Sequence, residues 1–154
     1  MRRSDREIQD SDEIHDILNI AIIGHLALTD KDQPYVIALN YGVEFGDPLE
    51  IYFHCAPEGR KIDIIKQNNK ACFQVETDLE LITGEKGCDW GMNYKSVMAF
   101  GAIEIIKDPA KRRYGMDIIM SHYSNAKLFE YDEKIFEKTT ILRMIVNEIT
   151  AKQK

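Results

Sequence analysis

Hydrophobic positions recur along the chain with two different periods, and the period changes from one segment to the next. Residues 14 to 21 carry apolar side chains at three- and four-residue spacing, which predicts an amphipathic helix near the N-terminus. Asp10 or Ser11 marks its start, since either can cap the free N–H groups of a first turn. From Ile22 to Thr29 the period becomes two, which is typical of a half-buried strand.

The alternating pattern returns in five later segments. Pro34 to Phe45 predicts the longest strand, joined to the preceding one as a hairpin by the turn residues 30–33. Further strands are predicted at residues 51–55, 71–77, 96–106 and 140–149. Helices are expected after Pro57 and after Asp108-Pro109, because proline is favoured at the first helical position. Residues 79–95, with three glycines, predict a long loop.

These segments favour one fold class. Six strands joined mostly by short turns predict an antiparallel barrel with peripheral helices rather than a βαβ sheet. The chain has 154 residues and shows no repeat or linker, so we expect residues 1–154 to form a single domain. The predicted fold is therefore mostly β, with helices around a six-stranded antiparallel barrel.

The composition of the chain argues against several classes of function. The net charge of −6 argues against a nucleic-acid surface, because phosphate backbones require clustered Lys and Arg. No apolar run approaches the roughly 20 residues that span a bilayer, so no membrane association is expected. The cysteines, Cys55, Cys72 and Cys88, are odd in number and lack CxxC spacing, which indicates neither a disulfide framework nor a metal site. A reducing cytoplasm is the predicted location.

Most of the residues with a candidate chemical role lie in residues 51–69. Arg60 and Lys61 stand in the first turn of a predicted helix, the end whose free N–H groups and dipole favour an anion. Together they indicate a phosphate site. The alternative is that Glu58 and Asp63 neutralise the pair in solvent, and the residues alone leave both interpretations open.

Two aromatic side chains also have two interpretations each. His54 is the titratable group expected nearest the ligand, where it serves as a proton donor or simply forms a hydrogen bond to backbone or phosphate. Trp90 covers a ligand or fills a gap between strands. No Ser/His/Asp or Cys/His constellation indicates hydrolysis, and no GxGxxG motif indicates a dedicated nicotinamide domain.

Several segments together resemble a known family. PYVIALNYG, IYFHCAPEGRKIDIIKQN, CFQVE, YKSVMAFGAIEII and the closing VNEITAK are similar to the pyridoxamine 5′-phosphate oxidase-like flavoproteins, most of all to the 5-nitroimidazole-resistance (Nim) branch. The most specific piece is HxAxEGRKxDxxxxN, beginning at His54. The resemblance implies a split β-barrel that binds flavin mononucleotide (FMN) at a homodimer interface.

The resemblance also implies positions for the cofactor. Arg60 and Lys61 would hold the FMN phosphate, and Trp90 belongs to the expected site as a possible cover. The backbone from Ile37 to Asn40 would run under the isoalloxazine ring. The full set of expected cofactor contacts is Ile37, Ala38, Leu39, Asn40, His54, Cys55, Ala56, Arg60, Lys61, Trp90, Ser96 and Val97, with Ser96 and Val97 near the phosphate end.

An FMN-dependent oxidoreductase is the function that this resemblance implies, passing electrons from a reduced nicotinamide or other small donor to a small acceptor such as a nitroaromatic. The alternative is a protein that stores or senses flavin, haem or a deazaflavin without turnover. Pyridoxamine phosphate is not the expected substrate, because the chain ends in VNEITAKQK without the Arg-x-His pattern of the oxidases proper.

A homodimer has a physical argument as well. Val36 and Ala38 on one predicted strand, and Met98 and Phe100 on another, are apolar in addition to the residues facing the barrel interior. A second subunit would cover that outer face, since monomers rarely leave such patches bare. The alternative is that the helix from Pro109 to Tyr123 covers it.

Overall fold

The computed structural model describes residues 3–126 and 128–154, and within them eight strands form one antiparallel sheet. The order in space is β3-β2-β6-β7-β8-β5-β4, with the two-residue β1 added to β8. The strands are β1 (Glu7–Ile8), β2 (Gly24–Asp30), β3 (Gln33–Leu39), β4 (Tyr41–Glu44), β5 (Glu50–Cys55), β6 (Lys70–Ile82), β7 (Gly91–Ile106) and β8 (Thr140–Gln153). The mostly β antiparallel class is confirmed.

The predicted strand from Pro34 to Phe45 is interrupted at Asn40, and that prediction of one continuous strand is wrong. Its first part, β3, pairs with β2, whereas its second part, β4, pairs with β5 at the opposite end of the sheet order. A single residue, Asn40, therefore joins the two edges of the sheet, which closes it into a split barrel. Gly42 is required in β4 because a Cβ there would collide with the Ile118 carbonyl oxygen.

Four helices surround the barrel in the described part of the chain: α1 (Ser11–Ile20), α2 (Arg60–Gln67), α3 (Pro109–Tyr123) and α4 (Glu133–Glu137). The predicted caps of two of them are confirmed. The Asp10 side chain accepts a hydrogen bond from the Asp12 N–H, and the Asp108 side chain accepts one from the Lys111 N–H. No helix in the described ranges is long and apolar enough to cross a membrane.

The barrel interior is built from alternate residues of the strands. Leu26, Phe53, Phe73 and Leu142 are completely buried there. Tyr41 is also fully buried, and its hydroxyl lies 2.7 Å from the Leu18 carbonyl oxygen and 2.8 Å from that of Ala21. This polar contact ties α1 to the first residue of β4.

The predicted loop at residues 79–95 is mostly strand. β6 continues to Ile82 and β7 begins at Gly91, so only residues 83–90 connect them. The pairing shifts by one residue between Thr77 and Glu80, where Asp78 adopts a left-handed φ of 56°. The three glycines of the segment predicted the loop, although the sequence still alternates from Val75 to Leu81.

α3 packs on one side of the barrel, and several apolar side chains are exposed on another side. α3 packs on β4, β5 and β8, where Ile119 is buried with Tyr52 and Ile141. The outer face of β2, β3, β6 and β7 exposes Val36, Met98 and Phe100. The alternative that α3 covers this outer face is therefore wrong.

Candidate functional site

The turn after β5 leads directly into an uncapped helix start. Gly59 precedes α2 with a φ of 118°, a left-handed value that favours glycine, and provides no side-chain cap. The N–H groups of Ile62 and Asp63 are the first to bond back to the Gly59 carbonyl, at 2.9 and 3.2 Å. The N–H groups of Arg60 and Lys61 therefore lie outside the helix ladder, as an anion site requires.

The helix begins at Arg60, three residues later than Pro57, where the sequence predicted its start. Pro57 instead lies in the turn between β5 and α2. The difference brings Arg60 and Lys61 to the first two helical positions. Their charges are thus closer to the positive end of the helix than predicted, which strengthens the case for an anionic ligand.

Neither Glu58 nor Asp63 neutralises the two cations. Arg60 pairs instead with Asp30 at the end of β2, with 3.2 Å between Nε and Oδ2, and its guanidinium lies 4.9 Å from the centre of the Tyr35 ring. No salt bridge within residues 3–126 and 128–154 involves Lys61. Lys61 is half-buried, and its charge has no carboxylate partner among the described residues.

His54 lies on the outer side of β5, at a cavity of about 430 Å³ between the barrel and α3. Its Nδ1 atom is buried and has no hydrogen-bond partner among the described residues. Burial, and then the charge of Lys61, lower the pKa of His54, so the imidazole is neutral at pH 7. The cavity is lined by Asn40, His54, Met116, Ile119, Met120, Tyr123, Phe129, Glu130 and Tyr131.

The residues of β3 and its end that were expected at the cofactor point to opposite faces of the strand. Ala38 and Asn40 are exposed on the outer face, whereas Ile37 and Leu39 are half-buried and pack against the core. Only backbone atoms of Ile37 and Leu39 are therefore available outside the barrel. Asn40 belongs both to this outer face and to the wall of the His54 cavity, so the two regions meet at the strand break.

The two residues that follow His54 also differ in their exposure to solvent. Ala56 is exposed, whereas Cys55 is half-buried and packs on the core. Burial raises the pKa of the Cys55 thiol, and the nearby Lys61 charge opposes this shift. Cys55 is consequently a neutral wall residue rather than a nucleophile.

The structure does not bring Ser96, Val97 or Trp90 to the turn between β5 and α2 of the same chain. Val97 is completely buried inside the barrel, so its side chain cannot reach a ligand at the outer surface. Ser96 lies on β7, separated from β3 by β2 and β6. Trp90 follows the far end of β6, and about 40 Å of strand separates that end from the end of β6 next to α2.

Sequence reasoning missed the α3 side of the cavity and the partner of Arg60. Met116 and Met120 have the spacing of a core stripe, and Phe129 and Tyr131 lie in a segment without periodicity. Their common location depends on α3 folding back over β5. The position of Asp30 could be anticipated only weakly, because it ends β2, the strand that the predicted hairpin places near the barrel edge.

In a second cavity, of about 460 Å³, the carboxylates of Glu44 and Glu50 are bonded to neighbouring side chains. The Tyr52 hydroxyl donates to Glu50 at 2.6 Å, Tyr114 donates to Glu44, and Arg143 bonds to Glu50 at 3.1 Å. These contacts hold β4, β5, β8 and α3 together. No group of three potential metal ligands occurs in the described ranges.

Comparison with known proteins agrees with this geometry. Residues 10–153 match the family model for pyridoxamine 5′-phosphate oxidase. A candidate 5-nitroimidazole antibiotic resistance protein from Bacteroides thetaiotaomicron is 30% identical, with 96% of this chain and 86% of that chain covered and a TM-score of 0.82. No curated protein sequence matches the chain.

More distant solved structures share the fold. The flavocytochrome Anf3 of Azotobacter vinelandii is 18% identical, with 100% of this chain and 72% of that chain covered and a TM-score of 0.82. An FAD-binding protein of Mesorhizobium loti is 21% identical, with 97% of each chain covered and a TM-score of 0.67. The chain belongs to the pyridoxamine 5′-phosphate oxidase family, and within it resembles the 5-nitroimidazole-resistance branch.

Proposed function

We propose that this chain is an FMN-binding flavoprotein that transfers electrons from a reduced nicotinamide or other small donor to a small acceptor, with nitroaromatics as candidate acceptors. The observation that carries the proposal is the uncapped start of α2. There Arg60 and Lys61 offer two charges and two free N–H groups, and the Arg60 guanidinium lies over the Tyr35 ring of β3.

The residues present fit FMN. The phosphate suits the start of α2, because a dianion gains from cations, N–H groups and the helix dipole at once. The outer face of β3 offers the small Ala38 and the polar Asn40, which leave room for a flat ring and a hydrogen-bonding partner for its edge. Bound FMN would supply the redox chemistry, while the protein binds and orients the reactants.

We assign the acceptor to the His54 cavity. Apolar and aromatic side chains line most of it, and its polar groups are few, as in small-molecule sites. A neutral imidazole can donate one hydrogen bond and accept another, and Nδ1 has no hydrogen-bond partner among the described residues. His54 would therefore hold an uncharged polar group of the acceptor by a hydrogen bond.

A homodimer follows from two features of the uncovered outer face. It exposes apolar side chains that no described part of the chain covers, and Ser96 and Trp90 are far from the phosphate turn of their own chain. A two-fold partner would cover the apolar surface and can supply those residues to the site. The cytoplasm is the location we infer, because Cys55, Cys72 and Cys88 are all free.

Three measurements test the proposal. Apoprotein is titrated with FMN, FAD and riboflavin, and we expect stoichiometric binding with FMN preferred over riboflavin, which lacks the phosphate. Light scattering of the holoprotein at micromolar concentration should give the mass of two chains. Holoprotein is then assayed with reduced nicotinamides and a panel of nitroaromatic acceptors; stoichiometric FMN without turnover would leave only storage or sensing.

A further inference from the structure

His25 lies on the outer face of β2, next to the exposed outer face of β3. It is directly opposite Ala38 of β3 on one side and Gln74 of β6 on the other. Leu26, the next residue of β2, is completely buried in the barrel, so the side chain of His25 points outward. Because residues directly opposite each other in an antiparallel pair have Cβ atoms about 5 Å apart, the imidazole borders the surface at Ala38.

The two edges of the His25 ring have different surroundings. Nδ1 is buried and has no hydrogen-bond partner among the described residues. Glu76 Oε2 lies 3.9 Å from Nδ1, which is too long for a hydrogen bond. The side chain as a whole is 36% exposed, so the accessible part of the ring is the part away from Nδ1.

The Glu76 carboxylate is itself held in place, because the Gln74 side-chain amide donates a hydrogen bond to its Oε2 atom. A negative charge beside Nδ1 favours a hydrogen on that nitrogen, which leaves the lone pair on Nε2 at the other edge of the ring. His25, Gln74 and Glu76 together therefore present a hydrogen-bond acceptor on the outer surface.

This arrangement does not serve the stability of the barrel. A buried nitrogen without a partner costs free energy, and native proteins keep few such atoms. An apolar side chain of the same shape at position 25 would avoid that cost. The imidazole of His25 is therefore better explained by a ligand than by packing.

We propose that His25 contacts the ring of bound flavin, where Nε2 accepts a hydrogen bond from an N–H group on the polar edge of the ring. A ring on the outer face of β3 at Ala38 would extend onto β2, because adjacent strands are only about 4.8 Å apart and a three-ring system is wider than one strand. Glu76 acts through His25 as a positioning residue. The contact rests on the proposed flavin site and adds to it a ring contact separate from the phosphate contacts of Arg60 and Lys61.

Three variants test the contact by fluorescence titration of apoprotein with FMN and riboflavin. Because both ligands have the same ring, His25→Phe should raise both Kd values by the same factor, about five- to tenfold. His25→Gln keeps a hydrogen-bond acceptor and should raise them by less than about threefold. Glu76→Gln should raise both by about two- to threefold, and should have no effect when His25 is already replaced by Phe.

Thermal unfolding of the apoprotein distinguishes a binding role from a structural one. His25→Phe removes the buried Nδ1 that has no partner, so the Tm should be unchanged or higher. A lower Tm with unchanged Kd values for both flavins would assign His25 to the structure of the barrel and overturn the proposal. Equal losses of affinity in His25→Phe and His25→Gln would refute the hydrogen bond.

The same titrations separate this contact from the proposed function. A native protein that binds neither FMN nor riboflavin refutes the flavin site and the His25 contact together. If the native protein binds FMN and His25→Phe binds it equally tightly, the flavin site stands and the His25 contact alone is refuted. A loss of affinity confined to FMN would place His25 at the phosphate and refute the contact with the ring.

Discussion

Removal of the two cations at the start of α2 should weaken the binding of FMN without affecting riboflavin. The two ligands differ only in the phosphate, so riboflavin reports any damage to the rest of the site. Arg60→Ala, Lys61→Ala and the double variant form the series. Lys66→Ala, in the last turn of the same helix, is the matched control because it removes an equal charge away from the N–H groups.

The two cations should contribute unequally. A hydrogen bond to a charged group contributes about 1.5–3 kcal/mol. Lys61 forms no salt bridge with the described residues, so it has no ionic partner to give up when FMN binds. Lys61→Ala should therefore raise the Kd for FMN by about 10- to 150-fold. Arg60 must share or release Asp30, an exposed pair worth about 0–1 kcal/mol, so its net contribution is smaller by that amount. The double variant should lose about two to four orders of magnitude.

Flavin fluorescence titration of apoprotein measures all of these dissociation constants. Raising the ionic strength should reduce the preference of the native protein for FMN over riboflavin, and should have little effect on the double variant. Asp30→Asn should tighten FMN binding by up to about fivefold, because Arg60 is then free. Equal affinity of the native protein for FMN and riboflavin would refute the phosphate site, as would a parallel loss for both ligands in the double variant.

Three further predictions concern stability. Tyr41→Phe should lower the free energy of unfolding by about 1–2 kcal/mol in urea titration, because it removes the buried contact between β4 and α1. Arg143→Met should lower it by about 1–3 kcal/mol, because the mostly buried Glu50 carboxylate loses its cation. Stability should fall as the pH drops below about 6.5 toward the lowered folded pKa of His54, since the unfolded chain then binds a proton that the folded chain does not. His54→Gln should show a smaller fall in stability over the same pH range. Part of the fall that remains comes from His122, whose pKa is also lowered by burial.

Features that depend on neighbouring residues could be predicted from the sequence. The caps at Asp10 and Asp108 need only a side-chain oxygen at the right distance from the first turn. Leu26 and Leu28 face inward as the period of two predicts. The two cations of the candidate phosphate site could be located because Arg60 and Lys61 are the first two residues of α2.

Features that depend on distant partners could not be predicted in this way. The alternation from Tyr35 to Phe45 is unbroken in sequence, and only pairing with β2 on one side and β5 on the other shows that it is two strands. Residues 79–95 were predicted as a loop because Gly84, Gly87 and Gly91 interrupt the segment. The extra residue at Asp78 moves the outer face of β6 from even-numbered to odd-numbered residues. A period count has no means of recognising that shift without the partner strand.

The location of the site follows from the way the barrel closes. Because β3 and β4 end the strand order and are joined by Asn40 alone, the barrel has one seam, and the outer face of β3 meets the outer side of β5 there. The β5–α2 unit crosses this region with His54 on the cavity side and Arg60 six residues later at the helix start. The proposed phosphate site at Arg60 and the proposed acceptor cavity at His54 are thus joined by one continuous segment. Because Tyr123 at the end of α3 accepts a hydrogen bond from the Tyr41 N–H at 3.0 Å, the helix that lines the cavity is attached to the seam itself. The shape of the proposed acceptor cavity is therefore coupled to the strand break at Asn40.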